Sequence, residues 1–295
     1  YHRTVSANYG MSYSLCNVMA EVGTANILRW LPFPFESSVL RDILRNKMIR
    51  PTTIPETIEE LHVEQAAARE ALRLSLGHHR SLAVHLQGRG TEKDLGGLFR
   101  AEEQGLVNMM DLDLCIGSGG VLSHAPDRAQ AALIMLDAFG LEGVTQLAVD
   151  SIFMMPQLGV MSQMAPEAAR EVFENDCLLL LGTSVCAVGY DRPGRPVMRV
   201  QFTTGDGQSQ THSVTYGELL RLPLAHGETA HLRIQPARRF NVGAGVGKAL
   251  EVDVCGGLVG LVLDGRGRPL PFSDDPAINA EARRRDVESF NLNLE

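Results

Sequence analysis

The residues best suited to chemistry stand between Met110 and Pro126. An apolar run, Leu112-Asp113-Leu114-Cys115-Ile116, is followed by Gly117-Ser118-Gly119-Gly120 and then by Val121-Leu122-Ser123-His124-Ala125-Pro126. A short apolar run bounded by glycines reads as a buried strand, and Asp127 to Phe139 has helical spacing. Strand, glycine turn and helix bring backbone N–H groups up to an anionic or planar ligand without Cβ atoms in the way. The same pattern serves equally as a plain connection whose glycines only solve backbone geometry. Asp111 and Asp113, two apart on a strand, share a face; one could hold a metal or a water, although surface or turn capping is their ordinary use.

Other chemistry fails on spacing. Gly117-x-Gly119 meets Leu122 where the dinucleotide fingerprint needs its third glycine. Gly243 to Ala249 imitates a P-loop, but Val242 stands at the first glycine position and Ala249 replaces the magnesium-binding hydroxyl, so a hairpin loop is the better reading. Ser118 directly follows a glycine and does not form G-x-S-x-G. His78 and His79 are helical neighbours that point apart, which suits the end of a helix better than a metal. Cys16, Cys115, Cys177, Cys186 and Cys255 are odd in number and widely spaced, against a zinc site or a disulfide framework and in keeping with a reducing cytoplasm. No catalytic residue and no metal ligand set is recoverable.

The elements that must position the turn follow from periodicity. A helix through Leu15, Val18, Met19 and Val22 ends near Gly23, and a further turn, Ile27 to Trp30, is cut off by Pro32 and Pro34. Helices are expected from Ser37 to Arg50 and from Glu56 to Leu76. The second has an apolar face at Ile58, Leu61, Ala68, Leu72 and Leu76, with Glu64, Arg69, Glu70 and Arg73 read as a solvated face. A strand at 81–86 and a glycine-rich loop at 88–97 come next. Beyond the turn, a strand at Gln146–Phe153 leads into a Met and Phe cluster, core filling being the first reading and an adaptable interaction surface the second. Pro166 to Asp176 is a helix. From Cys177 the pattern changes to short alternating runs at Leu178–Val188, Val197–Thr203, His212–Tyr216, His231–Ile234, Leu250–Val254 and Leu258–Leu263. Turn clusters at 191–194, 204–207 and 264–269 separate them. The expected organisation is an α/β region at 1–176, a β-rich domain at 177–272, and a charged tail at 273–295 forming an exposed helix and a loose end.

The chain has 295 residues, 44% of them hydrophobic and 21% charged, a globular composition with room for two domains. Its net charge of −8 argues against nucleic acid. No apolar run reaches the length of a membrane span.

The turn has a further likeness. Leu114 to Pro126 resembles the adenosine motif of the actin, Hsp70 and sugar-kinase ATPase superfamily, whose fold is ribonuclease H-like. Longer stretches look like the MutL-type accessory proteins associated with adenosylcobalamin-dependent glutamate mutase and ornithine aminomutase: Arg3-Thr-Val with Tyr9 to Tyr13, Met110 to Pro126, Leu147 to Gly159, Arg238 to Phe240 with Gly243 to Gly245, and Gly256 to Asp264 with Arg266 to Pro269. The resemblance implies the C-terminal part of an actin-like ATPase fold followed by a β-rich domain. The two acidic glycine turns that would hold phosphates and Mg²⁺ are not in this sequence, so ATP and Mg²⁺ are implied as cofactors of a longer protein. Gly117, Ser118, Gly119, Gly120 and Ser123 would line the nucleotide, Gly10 would approach the ribose, and Glu64 and Arg69 are candidates for the adenine side. Ser6-Ala7-Asn8 and Ser12 depart from the acidic and basic residues usual around Gly-Met.

The implied function is a chaperone-like reactivating ATPase for a B12-dependent mutase, in the cytoplasm, with mutase subunits as partners and room for a homodimer. Nucleotide closing a cleft would bias two arrangements and change affinity for the mutase. A non-catalytic interaction module on the same fold is the alternative, and a small-molecule kinase a weaker one.

Overall fold

The computed structural model describes residues 8–87 and 107–292; the expected loop at 88–97 and the Arg3-Thr-Val segment lie outside them. The chain divides into two compact units. One comprises Tyr1–Met109 with Asp274–Glu281, the other Met110–Ser273 with Ala282–Glu295.

The first unit is built on α1 (Leu15–Leu28), α2 (Ser37–Ile49) and α3 (Ile58–Gln87). α1 leaves helical geometry at Gly23, at φ 69°, where the break is expected. Leu15, Val18, Ile27, Leu31, Leu40, Leu44 and Val63 close the core between the three helices. Two expectations are corrected. Residues 81–86 continue α3 instead of forming a strand. Ser81 to Leu86 is a short apolar run that both periods fit, and extending an existing helix adds a hydrogen bond per residue without a new nucleus. The charges of α3 are not a solvated face either: Glu70 is fully buried and Arg69 is 5% exposed. A buried carboxylate needs partners, and Glu70 has several. Its Oε1 accepts from Arg29 Nη2 and Trp30 Nε1, both at 2.7 Å, and its Oε2 accepts from Arg73 Nε at 2.8 Å and Nη2 at 2.6 Å. The Arg29 and Arg69 guanidiniums lie 5.6 and 5.8 Å from the Trp30 ring centroid, close enough for cation–π attraction.

The second unit is mixed α/β with two sheets. β1 (Leu114–Gly117), β2 (Gly143–Asp150), β3 (Leu178–Cys186), β6 (Leu219–Leu222) and β9 (Gly260–Asp264) form a five-stranded sheet in the order β1-β2-β3-β9-β6. β4 (Pro196–Thr204), β5 (Ser209–Thr215), β7 (Thr229–Pro236) and β8 (Leu250–Cys255) form a four-stranded antiparallel sheet, β5-β4-β7-β8. The change of pattern at Cys177 thus does not separate the sheets, since strands from both sides of it share one. Helices of this unit are α4 (Gly120–Ser123), α5 (Arg128–Phe139), α6 (Met155–Met161) and α7 (Pro166–Val172). α8 (Pro276–Ser289) spans residues of both units.

Val185, Val200, Phe202, Leu232, Ile234, Phe240, Leu261 and Leu263 form the core between the two sheets. β7 alternates exposed and buried along its whole length, as a strand with one wet face must. β3 is buried at every residue from Leu181 to Cys186, as befits a strand covered on both sides. Register sets Gly182 opposite Gly260, and a Cβ on Gly182 would fall 1.9 Å from the Gly260 carbonyl oxygen. The glycine that ends the Leu178 to Leu181 run is therefore required by the close approach of two backbones. Strand β2 ends at Asp150, not Phe153, and the helix begun at Pro166 widens into a π turn over Phe173–Cys177. β6 is a strand of four residues with no expected counterpart, although Gly217, at φ 92°, turns the chain just before it. The tail is also corrected: Arg283, Asp286, Val287 and Phe290 are each at most 6% exposed. Among the described residues no helix is long and apolar enough to cross a membrane.

The burial of that tail follows from the Asp264-Gly-Arg-Gly-Arg segment. Arg266 donates to Asp264 Oδ1 at 3.0 Å and Oδ2 at 2.8 Å, to Asp137 of α5 at 2.8 Å, and to Asp286 of α8 at 3.0 Å. Arg268 Nη2 adds 2.6 Å to Asp264 Oδ2, and Arg283 Nη2 lies 3.2 Å from Asp286. All six ionic side chains are at most 7% exposed.

Removing one member leaves uncompensated charge in the interior. Arg266→Leu is expected to cost about 3 to 5 kcal/mol, read as a lowered midpoint in urea. Burial works against the charge of Asp264, but Arg266 and Arg268 outweigh it and hold its carboxyl far below the ordinary range. A depressed carboxyl stabilises the folded state above its unfolded pKa, near 3.9, and that contribution is lost as pH falls toward the folded value. The urea midpoint is accordingly expected to fall on acidification below about pH 4.

Candidate functional site

β1 and β2 run parallel, with Gly117 opposite Val149. Their C-terminal ends therefore emerge at the same edge of the sheet, the edge at which open α/β sheets take ligands. The residues that emerge there are Ser118 from β1 and Asp150 from β2. Ser118 Oγ donates to Asp150 Oδ2 at 3.0 Å. Asp150 is fully buried, and its carboxylate also accepts from the backbone N–H of Met154 at 3.0 Å and of Met155 at 2.8 Å, closing the start of α6. Burial opposes its ionised form, but the Met155 and Met154 N–H groups and the Ser118 hydroxyl outweigh it and hold its carboxyl below the usual range. Asp150 is an acceptor at neutral pH and has no proton to give.

The four turn residues divide by task. A Cβ on Gly117 would lie 2.8 Å from Met135 Sδ and 2.9 Å from Leu122 Cδ1, so this glycine serves internal packing. Gly119 sits at φ 107°, a conformation that side chains rarely adopt, and its carbonyl accepts from Leu122 and Ser123 N–H to begin α4. A Cβ on Gly119 or Gly120 would meet no atom within 4 Å. Ser123 is fully buried, and its hydroxyl has no hydrogen-bond partner among the described residues. Asp127 caps α5 through a capping box with Gln130. Cys115, just before the turn, has its thiol pushed up to about 11 by burial and is no nucleophile at neutral pH. The turn offers open space beside glycine backbone and a buried hydroxyl in need of a partner. That arrangement can bind. The hydroxyl–carboxylate contact at the turn, Ser118 with Asp150, is tied into the start of α6 through the Met154 and Met155 N–H groups.

The remaining candidates belong to the first unit. Gly10 precedes α1, and a Cβ there would come within 3.0 Å of Ser14 Oγ. Glu64 forms an ion pair with Lys47, and both line a cavity of about 580 Å³ together with Ile43, Arg50, Glu60 and Val63. Lys47 Nζ also donates to the Thr53 carbonyl at 2.6 Å. Arg69 is not on that wall: it is held over Trp30. The structure thus brings Glu64 to a cavity and keeps Arg69 in the interior.

Lys47 and Asp150 escaped the sequence reading. For Asp150 a signal existed, an aspartate at a strand end followed by Met155-Pro156 at a helix start. Lys47 had only its place in the last turn of α2. Among the described residues no group of three or more His, Cys, Asp and Glu could hold a metal ion.

A model of the MutL protein family matches residues 1–177, from before α1 to the start of β3 and including the glycine turn. No curated protein and no solved structure matches the chain.

The bonds around Asp150 make a graded test. Ser118→Ala removes one partly buried hydrogen bond and is expected to cost about 1 kcal/mol. Asp150→Ala strands two backbone N–H groups as well and is expected to cost about 3 kcal/mol. Denaturant midpoints of the two variants check the order.

Proposed function

The chain belongs to the MutL protein family, and on that premise we propose that it serves an adenosylcobalamin-dependent mutase as an accessory protein, acting as part of an actin-like ATPase. The observation that carries the nucleotide half of this reading is the turn after β1. A Cβ on Gly119 or Gly120 would meet no atom within 4 Å, so the backbone there is open to approach, and the buried Ser123 hydroxyl lacks a partner among the described residues. Those residues fit the adenosine side of ATP. Within the first unit, Glu64 and Lys47 present opposite charges to a cavity of nucleoside size. A phosphate cradle and a Mg²⁺ site have no residues here to be assigned, so no step of hydrolysis is assigned to this chain.

Bound ATP would act by population. A nucleotide that favours the mutase-binding arrangement tenfold contributes about 1.4 kcal/mol of coupling, and the mutase must then tighten nucleotide binding by the same factor. That reciprocity separates a regulated accessory protein from a kinase, for which the mutase is irrelevant.

A second reading, an interaction module that has lost nucleotide, is favoured by the surface on and flanking α6. Ile152, Phe153, Val160 and Met164 are 53, 44, 68 and 92% exposed. Such a run of large apolar side chains in water suits a protein partner.

Gly120→Val tests the turn. Gly120 has an ordinary backbone conformation and open space, so the variant keeps the fold while filling the room beside the turn. In full-length protein it is expected to weaken ATP–Mg²⁺ binding about tenfold or more, measured by calorimetry, with an unchanged melting temperature. Unchanged affinity would remove the turn from the nucleotide site. Tight mutase binding with no nucleotide dependence would establish the interaction module instead.

A further inference from the structure

The antiparallel pairing of β4 with β7 sets Met198 opposite Pro236. The turn before β4 and the turn after β7 therefore emerge at the same end of the four-stranded sheet. Both are pinned by backbone. Gly194 N–H donates to the Tyr216 carbonyl at 3.0 Å and Tyr216 N–H to that of Arg195 at 2.7 Å. Ala237 N–H donates to the Val197 carbonyl at 2.7 Å, and Phe240 N–H closes its own turn on Ala237 at 2.9 Å. Phe240 is fully buried, 6.2 Å from the Tyr216 ring. Between these anchors the sequence places Asp191-Arg192-Pro-Gly-Arg195 on one turn and Arg238-Arg239 on the other.

The two turns line a cavity of about 480 Å³, walled by Asp191, Arg192, Arg195, Arg238 and Arg239, with Pro196 and Ala237. Asp191 is partly engaged: its Oδ1 accepts from Arg192 N–H at 2.8 Å and lies 3.9 Å from Arg239 Nη1. The guanidiniums of Arg192, Arg195 and Arg238 have no hydrogen bond or ion pair among the described residues. Four arginines against one carboxylate leave the cavity strongly positive in a chain whose net charge is −8. Like charges crowded on rigid turns repel, and an anion between them relieves that repulsion. All four cations are arginines, whose planar forks match carboxylate and phosphate oxygens in pairs. The volume falls in the range of small-molecule sites, roughly 300 to 1,000 Å³, and exceeds what a single phosphate would fill.

The geometry points to an anion site of the β-rich region that takes a small molecule bearing a chain of phosphates. It is separate in its residues from Gly117 to Ser123 and does not rest on the nucleotide reading of that turn.

Calorimetric titration of sodium tripolyphosphate, without Mg²⁺, tests it on the full chain. Binding is expected, weakening as salt is raised, and Arg195→Gln with Arg238→Gln together are expected to reduce affinity about tenfold or more. Both side chains are exposed, so the melting temperature of the double variant should match the parent. Gly120→Val is expected to leave tripolyphosphate binding intact, which separates failure of this proposal from failure of the nucleotide turn. Mg²⁺-free ATP supplies a second arm. The share of its affinity that the double variant removes shows a nucleotide to be the source if it exceeds the loss for tripolyphosphate, and a free phosphate chain if it does not. Absence of tripolyphosphate binding, binding untouched by the double variant, or tighter binding of a polyglutamate peptide would each overturn the proposal.

Discussion

The second unit depends on one guanidinium. Arg266 reaches Asp264 at the end of β9, Asp137 on the helix that covers the sheet, and Asp286 on the C-terminal helix. Desolvating these groups is costly, and the gain in Coulomb energy is comparable, so the network adds little net stability over well-packed apolar side chains. Its effect is on alternatives. Any arrangement that draws α5 or α8 away from β9 leaves an aspartate or an arginine buried alone. With Asp137, Asp264 and Asp286 facing Arg266, Arg268 and Arg283, the members balance only as a complete set.

The first unit solves the same problem on a smaller scale. Glu70 lies on the buried side of α3 and takes donors from two elements, Arg29 and Trp30 at the end of α1 and Arg73 one turn along its own helix. Here too arginine is the partner, because one fork satisfies two carboxylate lone pairs while the indole N–H fills another. The charged residues of α3 sort accordingly: Glu70 and Arg69 fix helix packing, and Glu64 with Lys47 faces a cavity.

What the sequence made legible was short-range. Strand β1, the glycine turn, the capped helix after Pro126 and the hairpins of β4, β5, β7 and β8 all carry local signals, and the break at Gly23 needs nothing more than one residue. Of the site, the glycines and Ser123 were legible as a turn with room beside it. Their division of labour was not, because Gly117 is small for the sake of Met135, a contact made across the fold. Charges were the least legible. Arg69, Glu70, Arg283 and Asp286 read as solvent-facing by type, and their burial rests on partners that include residues far away in the chain, Arg29 and Trp30 for Glu70 and Arg266 for Asp286. Residues 81–86 failed for a different reason, a run too short for its period to decide between helix and strand.

One carboxylate connects two surfaces of the second unit. Asp150 holds the Ser118 hydroxyl on one side and the first N–H groups of α6 on the other, so the glycine turn and the methionine-bearing helix draw on the same pair of oxygens. A ligand that recruits the Ser118 hydroxyl strengthens the hold of Asp150 on α6, since fewer donors then share its charge. By thermodynamic linkage the relation is reciprocal: whatever seats itself against Phe153 and Val160 and shifts the start of α6 alters how firmly Ser118 is kept from the turn. The glycine turn and the start of α6 thus share one acceptor, and a change in either alters the hydrogen bonding of Asp150.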